Sequence, residues 1–286
     1  MEYSVNSLDA IDDYANLLLV LPNLSPITVL SIFFLTLARI LPIVSITPFL
    51  GAKNIPMTIR MMFSVALVAI FLPQNLLVAT KEIPYGMAFI GYSLKELTIG
   101  FVLGFLASAP FFVAQMSGSL IDHSRGSSAL QVTDPTTQSQ TGDLGILYNY
   151  MLLALFFFLG GPFLFFNGLA DSYKLFPVDQ FFNASFFQLH TPFWTQMFSL
   201  AELMFSSSVQ FAAPALIGIL LSDLFLGIAN RLAPQVQIVF LGISLKSWVG
   251  LALLTAAWGV IIQALGKESI GYFKALNQLI QGFQVK

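Results

Sequence analysis

The sequence predicts an all-α membrane protein built from about six to eight hydrophobic helices that are broken or kinked by proline and glycine. Hydrophobic residues make up 57% of the 286 residues and charged residues only 9%, whereas a soluble domain is about one quarter charged. Several charge-free runs are long enough to cross a bilayer as a helix. The 20 glycines and 14 prolines punctuate nearly every run, and proline inside a helix removes a hydrogen bond and kinks it.

The runs that set the expected helices share a length near that of a membrane span and contain no Asp, Glu, Lys or Arg. They are Tyr14–Ala38, Met61–Thr80, Leu97–Ile121, Leu144–Ala170, Leu203–Ser222 and Ser247–Gly266. Shorter apolar pieces at Ile40–Ala52 and Leu232–Leu245 are further candidates.

Breaks between these helices are expected where charge or proline enters a run. The first run is broken by Pro22 and Pro26 and resumes as Ile27–Ala38. Arg39 then interrupts the apolar sequence, and Pro42 and Pro48 follow. The second run is expected to end at Pro73. Pro84–Glu96 is interpreted as a mixed connector, and Gly160-Gly161-Pro162 breaks the fourth run.

The last third predicts a helical hairpin. One helix runs to about Asn230, a turn follows around Leu232-Ala233-Pro234, and a second helix runs toward Gly266. The preceding stretch, Asp171–Glu202, is amphipathic and rich in Phe and Trp, which is typical of a segment at a membrane interface.

A polar stretch, Ser117–Pro135, sits between two of the longest apolar runs and is interpreted as a flexible loop. Irregular backbone at membrane depth is tolerated only where it is buried in protein or lines a wet cavity. The stretch therefore indicates something polar built into the middle of a membrane protein.

The bias of Lys and Arg between loops normally sets membrane orientation, but here it is balanced. Six alternating spans put one set of cations on one side (Lys81, Lys95, Lys174, Lys267, Lys274 and Lys286) and a similar set on the other (Lys53, Arg60, Arg125, Arg231 and Lys246). Either insertion is steered by other means, or the segments are not simple alternating spans.

The polar stretch contains an acid, a base, a hydroxyl and a cation in Asp122-His123-Ser124-Arg125. One alternative is a membrane hydrolase with Ser124 or Ser119 as the nucleophile. Consecutive residues rarely face one another, so this is not a triad by spacing. Asp122 and Arg125 are three apart and can pair on one helical face. A capped helix end is the favoured interpretation.

Other chemistries have little support in the sequence. There is no cysteine, so disulfides and thiolate metal sites are excluded. The two histidines, His123 and His190, are far apart, and no metal or cofactor is expected. The net charge is −2 without a basic block, so no nucleic-acid partner is expected.

Charged residues also occur within or beside the apolar segments: Arg39, Glu202, Asp223, Arg231 and Lys246. Ionisable groups inside a membrane are costly and are usually paired or functional. A second alternative is therefore a secondary transporter that uses Asp223 or Glu202 as a proton or ion site. The other interpretation is that these residues mark helix ends or contact other subunits.

The stretch Leu216–Leu251 carries Asn230-Arg231, then Ala233-Pro234-Gln235, between two apolar runs. This resembles the C-terminal signature of the FliR/SctT family of type III secretion export-gate subunits. Upstream positions that fit the same family in order and spacing are Arg39, Pro48, Pro56, Arg60, Gly118, Asp134-Pro135 and Asn167-Gly168. The resemblance covers nearly the whole chain.

The resemblance implies a single integral membrane domain, with residues 1–200 like SctR/FliP-type subunits and residues 201–286 like an SctS/FliQ-type hairpin with a tail. It implies a non-enzymatic subunit without cofactors, located in the bacterial inner membrane as part of the secretion-system base. The implied partners are those two smaller subunit types, the SctU/FlhB-type and SctV/FlhA-type components, membrane lipid, and secreted proteins that pass unfolded through a gated channel.

In the family the middle loop is a plug that helps close the channel, and it maps here to about Asp122–Thr133. The implied plug residues are Asp122, His123, Ser124, Arg125, Gly126, Ser127, Ser128, Ala129, Leu130, Gln131 and Val132. The implied assembly turn consists of Asn230, Arg231, Pro234 and Gln235. The polar spelling of the loop resembles the injectisome branch more than the flagellar branch, so a virulence-type system is expected.

Overall fold

The computed structural model describes residues 25–51, 55–79, 83, 86–126, 142–181, 192–232 and 238–282. Over these residues the chain is all-helical, which confirms the predicted fold class. The seven α-helices are α1 (Pro26–Ile46), α2 (Met57–Val78), α3 (Met87–Ser124), α4 (Asp143–Phe158), α5 (Gly161–Leu175), α6 (Pro192–Leu232) and α7 (Ile238–Gly282). A short 3₁₀ helix, Pro48–Leu50, follows α1.

Five of these helices are long and apolar enough to cross a membrane: α1, α2, α3, residues Met197–Leu232 of α6 and residues Gly242–Lys274 of α7. The bent pair of α4 and α5 passes the same test together, giving up to six spans. The predicted break at Gly160-Gly161-Pro162 is confirmed, because α4 ends at Phe158 and α5 begins at Gly161.

Several predicted breaks are wrong. α1 continues through Arg39 and Pro42, and α2 continues through Pro73 to Val78. The expected connector Pro84–Glu96 is mostly helix, because α3 begins at Met87. A proline removes one helix hydrogen bond, but packing against neighbours can hold the helix together across it.

The polar stretch after residue 117 is also more helical than expected, since Ser117–Ser124 form the last turns of α3. The Ser124 hydroxyl donates to the Leu120 carbonyl oxygen at 2.8 Å. A serine whose hydroxyl donates a hydrogen bond to a carbonyl of the preceding turn can remain in an apolar helix, because its donor is satisfied.

The chain divides into two compact units. The first comprises Met1–Ser108, Phe163–Trp194 and Lys274–Lys286, and the second comprises Ala109–Pro162 and Thr195–Phe273. The predicted division at residue 200 concerns likeness to other subunits and stays a prediction.

In the first unit, α1 begins where Ser25 caps it, since the Ser25 hydroxyl accepts from the Thr28 backbone N–H at 3.3 Å and Pro26 occupies the first turn. The buried residues of α1 recur every three or four positions, as one helical face requires. They are Thr28, Ser31, Ile32, Leu35, Thr36, Arg39, Ile40, Ile43 and Val44.

A stripe of small residues on α3 lets α1 approach closely. A side chain at Gly100 would overlap the Arg39 carbonyl, and one at Gly104 would lie 3.1 Å from the Ile43 Cα. One turn further, the Ser108 hydroxyl lies 3.3 Å from the Ile46 carbonyl oxygen. Gly and Ser at a helix contact are typical of membrane proteins, where backbones pack closely without a hydrophobic driving force.

Arg39 is fully buried at this contact and is bound by Glu96, which is also fully buried. The Arg39 Nε donates to Glu96 Oε2 at 2.5 Å and Nη2 donates to Glu96 Oε1 at 2.9 Å. Nη1 donates to the Ser172 hydroxyl at 3.2 Å, and the guanidinium lies 4.1 Å from the Tyr173 ring centroid. This bidentate pair joins α1, α3 and α5.

The neighbouring Lys95, counted above among loop cations, is likewise buried inside α3. Its Nζ lies 2.7 Å from Glu96 Oε1 and donates to the carbonyl oxygens of Pro177 and Gln180 at 2.6 and 2.8 Å. Arg39 Nη2 donates to the Phe176 carbonyl oxygen at 2.6 Å. The two cations therefore hold the backbone that follows the end of α5.

In the second unit, α6 and α7 form an antiparallel hairpin. A side chain at Gly218 would meet Leu253, one at Gly250 would meet Ile219, and Gly242 lies next to Leu226. Asp223 and Lys246 form an ion pair between the two helices. The predicted helical hairpin is therefore present, with helices that extend beyond the expected ends.

We expect the Arg39–Glu96 pair to be the strongest single polar contact of the first unit. Glu96→Gln leaves the buried guanidinium without its carboxylate, which costs roughly 3–5 kcal/mol of stability. The thermal unfolding midpoint of the detergent-purified chain should fall sharply. A double variant, Arg39→Met with Glu96→Gln, should lose less than the sum of the two single changes.

The matched control is Asp171→Asn, which breaks the more exposed Asp171–Lys174 pair in the same unit. Exposed pairs contribute only about 0–1 kcal/mol, so the midpoint should barely move. Equal effects of Glu96→Gln and Asp171→Asn would contradict the importance of the buried pair.

Candidate functional site

Asp122 is a buried residue at the start of the candidate plug segment, Asp122–Thr133. Its Oδ1 accepts from Arg125 Nε at 2.9 Å and from Arg125 Nη2 at 2.5 Å, which confirms the predicted pairing three residues apart. Its Oδ2 accepts from the Leu144 backbone N–H at 2.9 Å. One carboxylate thus binds the last turn of α3 and the first turn of α4, on either side of residues 127–141.

The bond from Asp122 supplies α4 with a hydrogen-bond acceptor at its N-terminus. The first N–H groups of a helix have no partner within it, and the N-cap of α4 is Gly142, which has no side chain to supply one. Asp122 supplies the missing acceptor from another helix, and its negative charge suits the positive end of the α4 dipole.

Gly142 is the residue type that this arrangement needs. A Cβ at position 142 would overlap the Asp122 carboxylate. Any other residue type would therefore push the carboxylate away from the Leu144 N–H. We name Asp122, Arg125, Gly142 and the Leu144 N–H the loop clamp.

The other candidate plug residues divide into two groups. His123 is exposed, and Ser124, Arg125 and Gly126 are half-buried as α3 gives way to a turn. The remaining candidates lie outside the described residues: Ser127, Ser128, Ala129, Leu130, Gln131 and Val132.

The geometry gives the hydrolase alternative no support. The Ser124 hydroxyl donates to its own helix and His123 points to the surface, so these residues form no nucleophile and base pair. Among the described residues there is no group of three or more His, Cys, Asp or Glu side chains that could hold a metal ion.

The candidate assembly turn lies at the end of α6, where Asn230 and Arg231 are exposed. Pro234 and Gln235 lie outside the described residues. The residues on which a transporter would depend have simpler roles, since Asp223 pairs with Lys246 and Glu202 is exposed.

Sequence reasoning missed Lys95, Glu96 and the bond from Asp122 to Leu144. A signal for Glu96 was present, because Arg39 in an apolar run needs a carboxylate and Glu96 lies one turn before Gly100. A glycine at the start of an apolar run, as at Gly142, was the weaker signal that an acceptor must come from elsewhere.

A family model described as "Bacterial export proteins, family 1" matches residues 30–269. The secretion system apparatus protein SsaT of Salmonella typhimurium is 30% identical over 215 residues, 74% of this chain and 79% of that protein. The Yop proteins translocation protein T of Yersinia pestis is 32% identical over 163 residues, 56% of this chain and 60% of that protein. The flagellar biosynthetic protein FliR of Aquifex aeolicus is 29% identical over 246 residues, 86% of this chain and 92% of that protein. These similarities favour protein export over the transporter alternative.

We expect the loop clamp to keep the end of α3 close to the start of α4, on either side of residues 127–141. The chain has no cysteine, so spin labels at His123→Cys and Asp143→Cys, both exposed positions, report the separation without background. Asp122→Ala removes the acceptor for Leu144, a loss of about 1 kcal/mol by analogy with helix caps. Dipolar broadening in the continuous-wave EPR spectrum should weaken.

Gly142→Ala should weaken the broadening in the same way without changing any charge. Asp171→Ala removes a carboxylate elsewhere and should leave the spectrum unchanged. Spectra that stay the same in both Asp122→Ala and Gly142→Ala would show that the clamp does not hold the ends.

Proposed function

Because the chain belongs to the bacterial export proteins, family 1, and is an export-apparatus subunit of a type III protein secretion system in the bacterial inner membrane, we propose that it forms a gated channel together with SctR/FliP-type and SctS/FliQ-type subunits. Unfolded substrate proteins pass through this channel. SctU/FlhB-type and SctV/FlhA-type components complete its surroundings.

The observation that carries the proposal is the loop clamp. It ties the end of α3 to the start of α4 through one buried carboxylate. A segment of this length with both ends fixed at one point can project as a loop and fill a lumen. We propose that Asp122–Thr133, the first part of the stretch between these two helix ends, is the plug. Its polar residues are too costly to face lipid, so they face the channel or one another.

The α6–α7 hairpin has an exposed apolar surface, which supports the proposal that the chain assembles with other hydrophobic subunits. Along α6 a series of large apolar side chains is exposed: Ile217, Leu220, Leu221, Leu224, Phe225, Ile228 and Leu232. On α7, Trp248 and Val260 are more than two-thirds exposed. Lipid or apolar subunits cover such faces in a membrane protein. We propose that part of this surface packs on SctS/FliQ-type subunits, with Asn230–Gln235 as an assembly turn.

The proposed role is structural and needs no catalytic step. Several buried ionisable groups hold backbone and helices together, as Arg39, Glu96 and Asp122 illustrate. We also propose that the system is of the virulence type, since relatives named for secretion apparatus and for Yop translocation stand among the similar proteins.

Deleting Gly126–Ala129 tests the plug. The shortened chain should still be isolated together with the SctR/FliP-type and SctS/FliQ-type subunits, because the deletion leaves the hairpin and both buried charge clusters intact. Cells that carry the assembled mutant should leak ions or small solutes across the inner membrane, since less material fills the lumen.

Arg231→Ala is the comparison variant. It should lower the yield of assembled complex on a native gel without opening a leak, because it removes a cation from the assembly turn and leaves the plug whole. An assembled deletion mutant in a tight membrane would show that Asp122–Thr133 is not the closure element.

A further inference from the structure

A cavity of about 60 Å³ lies between the last turns of α1 and the first turns of α2, within the first unit. One ordered water needs roughly 10–15 Å³ of such space, so the cavity has room for a group of several heavy atoms. The residues that line it are Leu41, Ser45, Met57, Arg60, Met61 and Ser64.

Arg60 gives this cavity its chemistry. Its Nε is sealed from solvent and has no hydrogen-bond partner. A guanidinium is always charged and carries five donors, so a buried donor without an acceptor is costly. The Ser64 hydroxyl, also on the wall, donates to the Arg60 carbonyl oxygen at 2.8 Å, so its proton is already used. The described part of the chain offers Arg60 no carboxylate within ion-pair distance.

The rim of the cavity is apolar and open. Met57 and Met61, which line the cavity beside Arg60, are 70% and 38% exposed. Arg60 is the fourth residue of a helix that qualifies as a membrane span. A cation at the end of a span lies near the level of lipid headgroups, and basic pockets between such helices bind them.

We propose that this cavity holds the phosphate of an anionic phospholipid, with Arg60 as the ligand for its oxygens and the methionine-rich rim in contact with the acyl chains. Phosphate oxygens match the planar donor pattern of a guanidinium. A carboxylate from a neighbouring subunit is the rival occupant. The exposed apolar rim favours lipid, because a carboxylate on a protein surface is usually surrounded by polar groups.

The full chain, purified in detergent and reconstituted into phosphatidylcholine nanodiscs with a small fraction of phosphatidylglycerol, tests the proposal. After re-extraction and washing, mass spectrometry counts the phosphatidylglycerol retained per chain. Arg60→Gln should lower its retention by about fivefold to tenfold, the size expected for one cation against a lipid phosphate. Arg60→Lys keeps the charge and should retain an intermediate amount.

Two further variants locate the site. Ser45→Leu fills the cavity without touching the charge and should lower retention as Arg60→Gln does. Lys174→Gln removes an exposed cation from the same unit and should retain as much lipid as the unchanged chain. Full retention by Ser45→Leu, or loss in Lys174→Gln equal to that in Arg60→Gln, overturns the assignment to the cavity.

Two outcomes distinguish the other sources of the same chemistry. Unchanged lipid retention in Arg60→Gln, combined with binding of radiolabelled inorganic phosphate by the unchanged chain that Arg60→Gln loses, means that the site recognises free phosphate and not lipid. Unchanged lipid retention in Arg60→Gln, combined with a lower yield of the chain together with its partner subunits, means that Arg60 pairs with a protein carboxylate. Either result contradicts the lipid proposal.

Discussion

The close contact between α1 and α3 depends on Arg39 and Glu96, two fully buried charges that neutralise each other. Each would be very costly alone in an apolar core, and together they are tolerated because every guanidinium nitrogen has an acceptor nearby. Gly100 lets the α1 backbone come close enough for the pair to form. Lys95 then extends the same cluster to the carbonyl oxygens that follow α5. The packing of α1 on α3, the neutralisation of Arg39 and the bonding of the backbone after α5 therefore depend on the same cluster.

In the second unit, too, one buried charged group both neutralises an opposite charge and bonds backbone. Asp122 neutralises Arg125 with one oxygen and caps α4 with the other. In both units, buried charged side chains bond backbone groups at or beyond the ends of helices. This explains how a protein with 9% charged residues can keep several of them out of water. It also suits a subunit whose task is to shape a path for other proteins.

The features of the fold and the candidate site that depend on one local physical rule were predictable from the sequence. The helical class followed from the charge-free runs, the break at residues 160–162 from Gly-Gly-Pro, and the Asp122–Arg125 pair from helical spacing. The continuation of α2 through Pro73 was not predictable, because packing by distant residues outweighs one lost bond. The bonds from Glu96 to Arg39 and from Asp122 to Leu144 join positions far apart in the chain, and no local pattern sets such distances. The residues 127–132 of the plug stay a prediction.

In our proposal, the segment held by the loop clamp lies in the path of exported proteins. The most direct measurement places a photo-reactive amino acid at Leu130 in the assembled apparatus and illuminates cells in which an export substrate is stalled midway. We expect a cross-link between position 130 and the stalled substrate, and none from Met62, an exposed residue of α2. Cross-links from Met62 with none from Leu130 would show that the plug segment lies outside the export path.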